Sequence, residues 1–190
     1  PQLAASAAKI TAKRLEAVQK FNMLANLMQR RISGNEENLS LSYQIKGMEN
    51  GQLAENMEIW YNEMLHGLNN EEIYRGVTCV GPHRDDIIVS VNGINLKSFG
   101  SQGQQRTAVL SMKLSELEFI RSETGEYPVL LLDDVMSELD AGRRQQLLNF
   151  IEREGIQTLI TATDEAYFQQ APLKTYFQVE AGQVKVVNKV

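Results

Sequence analysis

Val129-Leu130-Leu131-Leu132-Asp133-Asp134-Val135-Met136-Ser137-Glu138-Leu139-Asp140 is a run of large aliphatic side chains that stops at two adjacent carboxylates. Four consecutive aliphatics predict a strand buried on both faces, as at the centre of a parallel sheet covered by helices. In open parallel sheets ligands bind beyond the carboxyl ends of the strands. Asp133 and Asp134 therefore stand where a metal and a phosphate are expected. The plainer alternative, two solvated acids capping the next segment, does not account for the unbroken aliphatic run.

Downstream, residues 142–153 read as a helix and 156–162 as a second strand. This is a β-α-β unit, whose crossover makes its strands parallel and right-handed. Upstream, residues 104–121 carry Leu110, Leu114, Leu117 and Ile120 at helical spacing. Residues 77–80 and 87–91 read as strands, and Asn92-Gly93 is a type I′ turn signal folding 87–91 back on 94–97. A short helix at 165–170 precedes an antiparallel pair, 175–179 and 184–188, turned at Ala181-Gly182-Gln183.

The N-terminal region reads differently. Residues 3–32 lack Gly and Pro and form one predicted helix ended by Ser33-Gly34-Asn35. Residues 39–45 alternate as a half-exposed strand, 47–51 are a polar loop, and 53–68 return to helix with Met57, Trp60, Tyr61, Met64 and Leu68 facing the core. A boundary between 68 and 77 divides the chain into a mainly helical piece, 1–75, and a sheet-based piece, 76–190.

The 190 residues are 43% hydrophobic and 23% charged, an ordinary globular composition. The single cysteine, Cys79, rules out a disulfide within the chain; its apolar surroundings predict a buried, inert thiol and suit a reducing compartment. No apolar run approaches the roughly 20 residues that cross a bilayer. A soluble, cytoplasmic protein is expected. One Cys and two separated His, His66 and His83, do not make a zinc ligand set. Net charge is −5, yet Lys9, Lys13, Arg14, Lys20, Arg30 and Arg31 face only Glu16 in the first stretch. Lys9, Lys13 and Lys20 share a helical face, either a solvated stripe or one that tracks a phosphate backbone. His83 and Arg84 follow Gly81-Pro82 in a turn, as a DNA or interdomain contact or as a turn fixed by Asp85 and Asp86. The chain begins at Pro1 rather than Met, so a processed or truncated chain is expected.

Asp133 suits a carboxylate that holds Mg²⁺, which takes oxygen ligands and shares them with substrate phosphates. Asp134 is placed to polarise an attacking water. Together with the strand they form a Walker B pattern, that of a phosphate-handling ATPase. A second constellation, Phe99-Gly100-Ser101-Gln102-Gly103-Gln104-Gln105-Arg106, opens the 104–121 helix. Small residues before a helix start leave backbone N–H groups in a partial positive field that attracts phosphate. Ser101 adds a hydroxyl and Gly103 permits close approach. An ordinary N-cap, with Ser101 satisfying a helix amide, is the alternative.

The Ser-Gln-Gly-Gln-Gln-Arg segment, the Leu-Leu-Leu-Asp-Asp strand, Ser137-Glu138-Leu139-Asp140 and the upstream Gly81-Pro82-His83-Arg84-Asp85-Asp86 together resemble the C-terminal motifs of the RecF family, ABC-type ATPases that act as recombination mediators in bacteria. The resemblance covers most of residues 77–190. It implies an α/β fold: the C-terminal half of an ABC-type ATPase head, with a parallel-core sheet flanked by helices plus antiparallel strands, behind part of a helical second domain in 1–75. It also implies ATP and Mg²⁺ as cofactors, with ATP sandwiched between two heads of a homodimer. Asp133 would serve Mg²⁺ and Asp134 the water. Ser101, Gln102, Gly103 and Gln104 would contact the γ-phosphate of the partner's nucleotide, and Asp140 would belong to the D-loop crossing the interface. DNA, RecO and RecR are the implied partners, in loading RecA at gapped DNA in recombinational repair and SOS induction.

Three departures stand beside this. No Gly-x-x-x-x-Gly-Lys-Ser/Thr loop occurs in the chain, so the polypeptide alone is expected to bind ATP poorly and to be inactive. The common switch histidine is replaced by Thr163, followed by Asp164. Asp134 stands where transporters carry Glu, and its shorter side chain weakens a direct general-base role. The rival readings are the head of an SMC-like or RecN-like chromosome protein, or a nucleotide-independent DNA-binding or dimerisation module. The first predicts long heptads, which Ser33-Gly34 and the 47–51 loop interrupt.

Overall fold

The computed structural model describes residues 2–49, 55–168 and 175–187. Ala-, Leu- and Lys-rich sequence carries helix α1 from Gln2 to Ile32, and Gly34 and Asn35 end it in the left-handed region. Its N-terminal half presents small residues, Ala4, Ala7 and Thr11, so helix α2 (Met57–Gly67) can pack close. Tyr61 of α2 is fully buried there, its hydroxyl 2.7 Å from that of Thr11. Trp60, Met64 and Leu68 pack around this cluster, as their spacing predicts. Helix α3 (Asn69–Arg75) continues after Leu68, in a stretch the sequence leaves as a boundary.

Strand β1 (Leu39–Gln44) runs antiparallel to β2 (Asp86–Val91), in register from Leu39 opposite Val91 to Gln44 opposite Asp86. The pairing spans the boundary expected between 68 and 77. On its other edge β1 meets α1, where Asn22 and Asn26, one helical turn apart, accept the N–H groups of Leu41 and Leu39 at 2.7 and 3.1 Å. The edge donors are thus satisfied by side chains rather than by another strand. Asn92 (φ 51°) and Gly93 (φ 80°) make the expected type I′ turn into β3 (Ile94–Asn95). β3 is shorter than the sequence suggests. Asn95 caps a single helical turn, α4 (Leu96–Phe99), by accepting the N–H groups of Lys97 and Ser98.

Residues 77–80 form bends, not the expected strand. The Cys79 N–H is taken by the Glu72 carboxylate at 2.6 Å, and the Thr78 carbonyl accepts from Arg84, so no ladder can form. Cys79 is half-buried rather than enclosed. His83 and Arg84 are likewise fixed through Thr78. Asp85 accepts instead from Tyr43 and the Lys46 N–H, and Asp86 from the Ile87 N–H and Lys97.

Helix α5 (Gln102–Thr124) packs along α1. Its buried arc takes in Leu110, Leu114 and Leu117 but also Thr107, Ser111 and Ser115, whose small side chains allow close approach. That arc is centred toward Ser111, which leaves Ile120 beyond its edge and exposed, contrary to the sequence pattern. Strand β4 (Leu130–Asp133), helix α6 (Ala141–Glu154) and strand β5 (Thr158–Thr161) form the expected parallel β-α-β unit, with Leu130 opposite Thr158 and Asp133 opposite Thr161. Burial of β4 on both faces is not observed: Leu130 and Leu132 are each 6% exposed, but Leu131 is 71%. Among the described residues β4 pairs only with β5, and the cluster of Met28, Ile32, Leu114, Leu147 and Phe150 covers one face. A hairpin of β6 (Tyr176–Glu180) and β7 (Gln183–Val187) follows, turned at Ala181-Gly182. The expected helix at 165–170 is a 3-10 turn over Glu165–Phe168 as far as it is described. The start of the 53–68 helix, the end of the 47–51 loop, residues 169–170 and residue 188 lie outside the described residues. No helix among the described residues is long and apolar enough to cross a membrane.

Candidate functional site

The carboxyl ends of β4 and β5 bring Asp133, Asp134 and Thr161 together. Register sets Thr161 opposite Asp133, and its hydroxyl donates to the Asp133 carboxylate. The same oxygen accepts the Asp134 N–H at 3.1 Å. Asp134 is held in the left-handed region (φ 50°, ψ 19°), which Asp, like Asn, enters more readily than other residues with a side chain. Ser137 secures it, donating to its carbonyl at 2.8 Å and its carboxylate at 3.0 Å. Both acids are exposed at the strand end. Among the described residues no group of three or more Asp, Glu, His or Cys could hold a metal by itself. A single carboxylate beside an open face fits Mg²⁺, whose remaining ligands are ordinarily phosphate oxygens and water.

The segment after Asp134 is a 3-10 turn, Val135–Glu138, pinned from behind by Arg144, which donates to the carbonyls of Met136 and Leu139 at 3.2 and 2.8 Å and stacks on Tyr167. Asp140 caps α6 by accepting the Arg143 N–H at 2.9 Å.

At the start of α5, Ser101 and Gln104 form a reciprocal capping box: Gln104 N–H to the Ser101 hydroxyl at 3.2 Å, and Ser101 N–H to the Gln104 side chain at 3.1 Å. Part of the polar capacity of both residues is thereby spent on the helix. Gly103 faces open space, with nothing within 4 Å of where a Cβ would lie. Gly100 is crowded: a Cβ would stand 2.7 Å from the Leu96 carbonyl oxygen, so only glycine lets α4 turn directly into α5 here. Arg106 of α5 meets Glu138 at 3.7 Å, an exposed pair of little energetic weight.

Arg143 is the residue the sequence reading missed. Its guanidinium lies 3.3 Å from Asp140, donates to the Gly103 carbonyl at 3.4 Å and to the Thr107 hydroxyl, and meets Glu37 at 3.1 Å. It joins the end of the β4–α6 connection to the first turns of α5. An Arg three residues after an N-cap Asp is too common a pattern to single out. Thr161 could have been found from its alignment with Asp133. Among the described residues no hydrogen bond or ion pair joins Ser101–Gln104 to Asp133 or Asp134, whose side-chain partners are Thr161 and Ser137, and Thr163 is exposed two residues past Thr161.

Lys9, Lys13 and Lys20 are exposed on α1, with Lys13 and Lys20 pairing with Glu16 at 3.1 and 3.7 Å. Arg14 donates to the Pro82 carbonyl and to the Tyr43 hydroxyl, so the basic stripe and the His83–Arg84 turn lie on adjoining surface. The Arg14 guanidinium is raised above its ordinary pKa by the Tyr43 hydrogen bond. The Tyr43 phenol is pushed up to about 12, first by burial and then by the acceptor Asp85. The Asp86 carboxyl is lowered by the Ile87 N–H and by Lys97.

No family model matches the chain. Among curated proteins it is 49% identical over 166 residues to the DNA replication and repair protein RecF of Halothermothrix orenii, covering 86% of this chain and 44% of that protein. It is 44% identical over 189 residues to RecF of Listeria monocytogenes, covering 97% of this chain and 50% of that protein. The chain spans about half the length of the curated relatives it matches. Among solved structures it superposes on the recombination mediator protein RecF with ATP, of the RecFOR pathway, with TM-score 0.78 and 33% identity over 98% of this chain and 48% of that one. An SMC ATPase studied for ATP-driven dimerisation aligns with TM-score 0.56 and 11% identity over 93% of this chain and 87% of that one, a likeness of fold alone. Sequence and fold agree that, over the half of those proteins it spans, the chain belongs to the RecF family.

Proposed function

We propose that this chain is the C-terminal half of an ATP-dependent DNA-binding switch, a DNA replication and repair protein that helps load RecA at gapped DNA together with RecO and RecR. Residues 1–75 belong to a helical second domain and 76–190 to the ATPase head. The supporting observation is the Asp133–Thr161–Asp134 arrangement: two carboxylates at the end of a parallel strand, one in a left-handed conformation held by hydrogen bonds to its backbone and side chain.

Asp133 would hold Mg²⁺, which would supply positive charge for phosphoryl transfer. Asp134 orients the attacking water. Ser101, Gln102, Gly103 and Gln104 meet the γ-phosphate of a partner subunit's ATP across a homodimer. The N–H groups at the start of α5 supply the field, and Gly103 supplies the clearance. Asp140 lies at the dimer seam and Thr163 at the switch position. Lys9, Lys13, Lys20, His83 and Arg84 face DNA. This half carries no Walker A loop and does not hydrolyse ATP alone. Kinship with DNA-repair proteins supports a cytoplasmic location.

In the complete protein, ATP-dependent dimerisation followed by sedimentation tests the reading. Ser101→Arg should abolish it by bulk and charge, while Asp134→Asn should still dimerise on ATP but lose hydrolysis. Dimerisation of Ser101→Arg at the wild-type ATP concentration would refute the sandwich.

A further inference from the structure

The capping box fixes the shape of the first turn of α5 but not its position against the rest of the head. Packing along α1 seats the helix, and Arg143 ties its first turns to the start of α6. One edge of its guanidinium faces Asp140 at 3.3 Å, a second engages the Gly103 carbonyl and the Thr107 hydroxyl, and a third engages Glu37 at 3.1 Å. Glu37 is itself held at both oxygens, since its other one accepts from the Gln29 side chain at 2.6 Å. Gln29 is fully buried on α1, and the Glu37 side chain is only 13% exposed. The Glu37 N–H in turn donates to the Ser33 hydroxyl at 3.1 Å. A nearly buried carboxylate is costly to keep without a fixed cation, so this pair is a rigid joint rather than a surface contact.

We propose that Arg143 is a positioning residue: it locks the Ser101–Gln104 segment and Asp140 into one unit and ties that unit, through Glu37 and Gln29, to the C-terminal part of α1. This rests on the reading of Ser101–Gln104 and Asp140 as the surface that meets a partner's nucleotide. When the γ-phosphate draws on Gly103, the displacement reaches α1, which carries the Lys9, Lys13 and Lys20 stripe. Arg143 touches neither nucleotide nor water in this scheme. It acts through the residues that do. A lysine keeps the charge but lacks the planar fork needed to serve Asp140, Gly103 and Glu37 together.

The test uses the complete protein with Arg143→Lys, Glu37→Gln, the double variant and Ser101→Arg as reference, measuring binding of a fluorescent ATP analogue, ATP-dependent dimerisation, and kcat and KM for ATP. Arg143→Lys and Glu37→Gln should each weaken dimerisation and lower kcat by about tenfold, the size of a typical coupling between sites. ATP binding by the monomer and KM should not change. The double variant should lose no more than the worse single one, because both remove the same joint. Glu37→Gln keeps the size and a hydrogen-bonding head, so it carries the test if Arg143→Lys fails to fold. Wild-type dimerisation in either variant, additive losses in the double, or a raised KM with unchanged kcat would overturn the proposal. If Ser101→Arg also dimerises normally, the reading of the site falls first and this inference with it. If Ser101→Arg blocks dimerisation while the Arg143 and Glu37 variants do not, only the joint is refuted.

Discussion

Thr161 stands directly opposite Asp133 in the parallel pair and gives its hydroxyl to the Asp133 carboxylate while taking the Asp134 N–H. One side chain thus orients the first acid and anchors the unusual backbone of the second. Thr161→Val preserves shape and removes both bonds. In the complete protein it should lower kcat for ATP by about 10–100-fold, as losses behind metal ligands usually do. Thr161→Ser should restore most of the rate. Steady-state kinetics over a Mg²⁺ titration checks this, and an unchanged rate in Thr161→Val would remove Thr161 from the site.

Gly100 should tolerate no side chain. The Cβ of Gly100→Ala would lie 2.7 Å from a backbone oxygen of the preceding turn, which cannot swing aside. A cost of about 1–3 kcal/mol is expected from such overpacking, read as a lower urea midpoint. Gly103→Ala, in open space, should be nearly neutral for stability and should instead impair ATP-dependent dimerisation.

The Thr11–Tyr61 hydroxyl pair joins α1 to α2 in a fully buried setting. Tyr61→Phe leaves the Thr11 hydroxyl without that partner and should cost about 1–3 kcal/mol. Urea unfolding measures it, with Thr11→Val/Tyr61→Phe recovering part of the loss because neither hydroxyl then remains.

Alkaline pH should destabilise the fold through its tyrosines. Tyr43 and Tyr127 are each pushed up to about 12, by burial first and by the carboxylates Asp85 and Glu118 next. A tyrosine in the unfolded chain ionises near pH ~10. The unfolded chain therefore releases its protons first, and the stability present in full below about pH 10 is lost as pH rises toward 12. Unfolding followed by phenolate absorbance should steepen in that window, and Tyr43→Phe/Tyr127→Phe should flatten it.

Local rules made much of the fold legible. The α1 helix, the Asn92-Gly93 turn, the β4-α6-β5 crossover and the acids at the end of β4 all follow from spacing, turn chemistry and the length of an apolar run. The readings that failed were decided at long range. Residues 77–80 have strand-forming side chains, but Glu72, His83 and Arg84 claim their polar groups. Leu131 lies in an aliphatic run yet faces outward, because burial depends on what covers the sheet. Ile120 keeps helical spacing with Leu117, but the partner helix sets which arc is buried.

The candidate site divides the same way. The sequence by itself supplied the candidates: Ser101 and Gly103 stand together before a helix, and Asp133, Asp134 and Asp140 stand close together at the end of an aliphatic strand. Only the tertiary structure decided what holds them. Thr161 reaches Asp133 from 28 positions away, and Arg143 reaches Glu37 from 106. Single threonines, arginines and glutamates carry no local signal, since their roles come from hydrogen-bond geometry that exists only once α1, α5 and the β-α-β unit have packed.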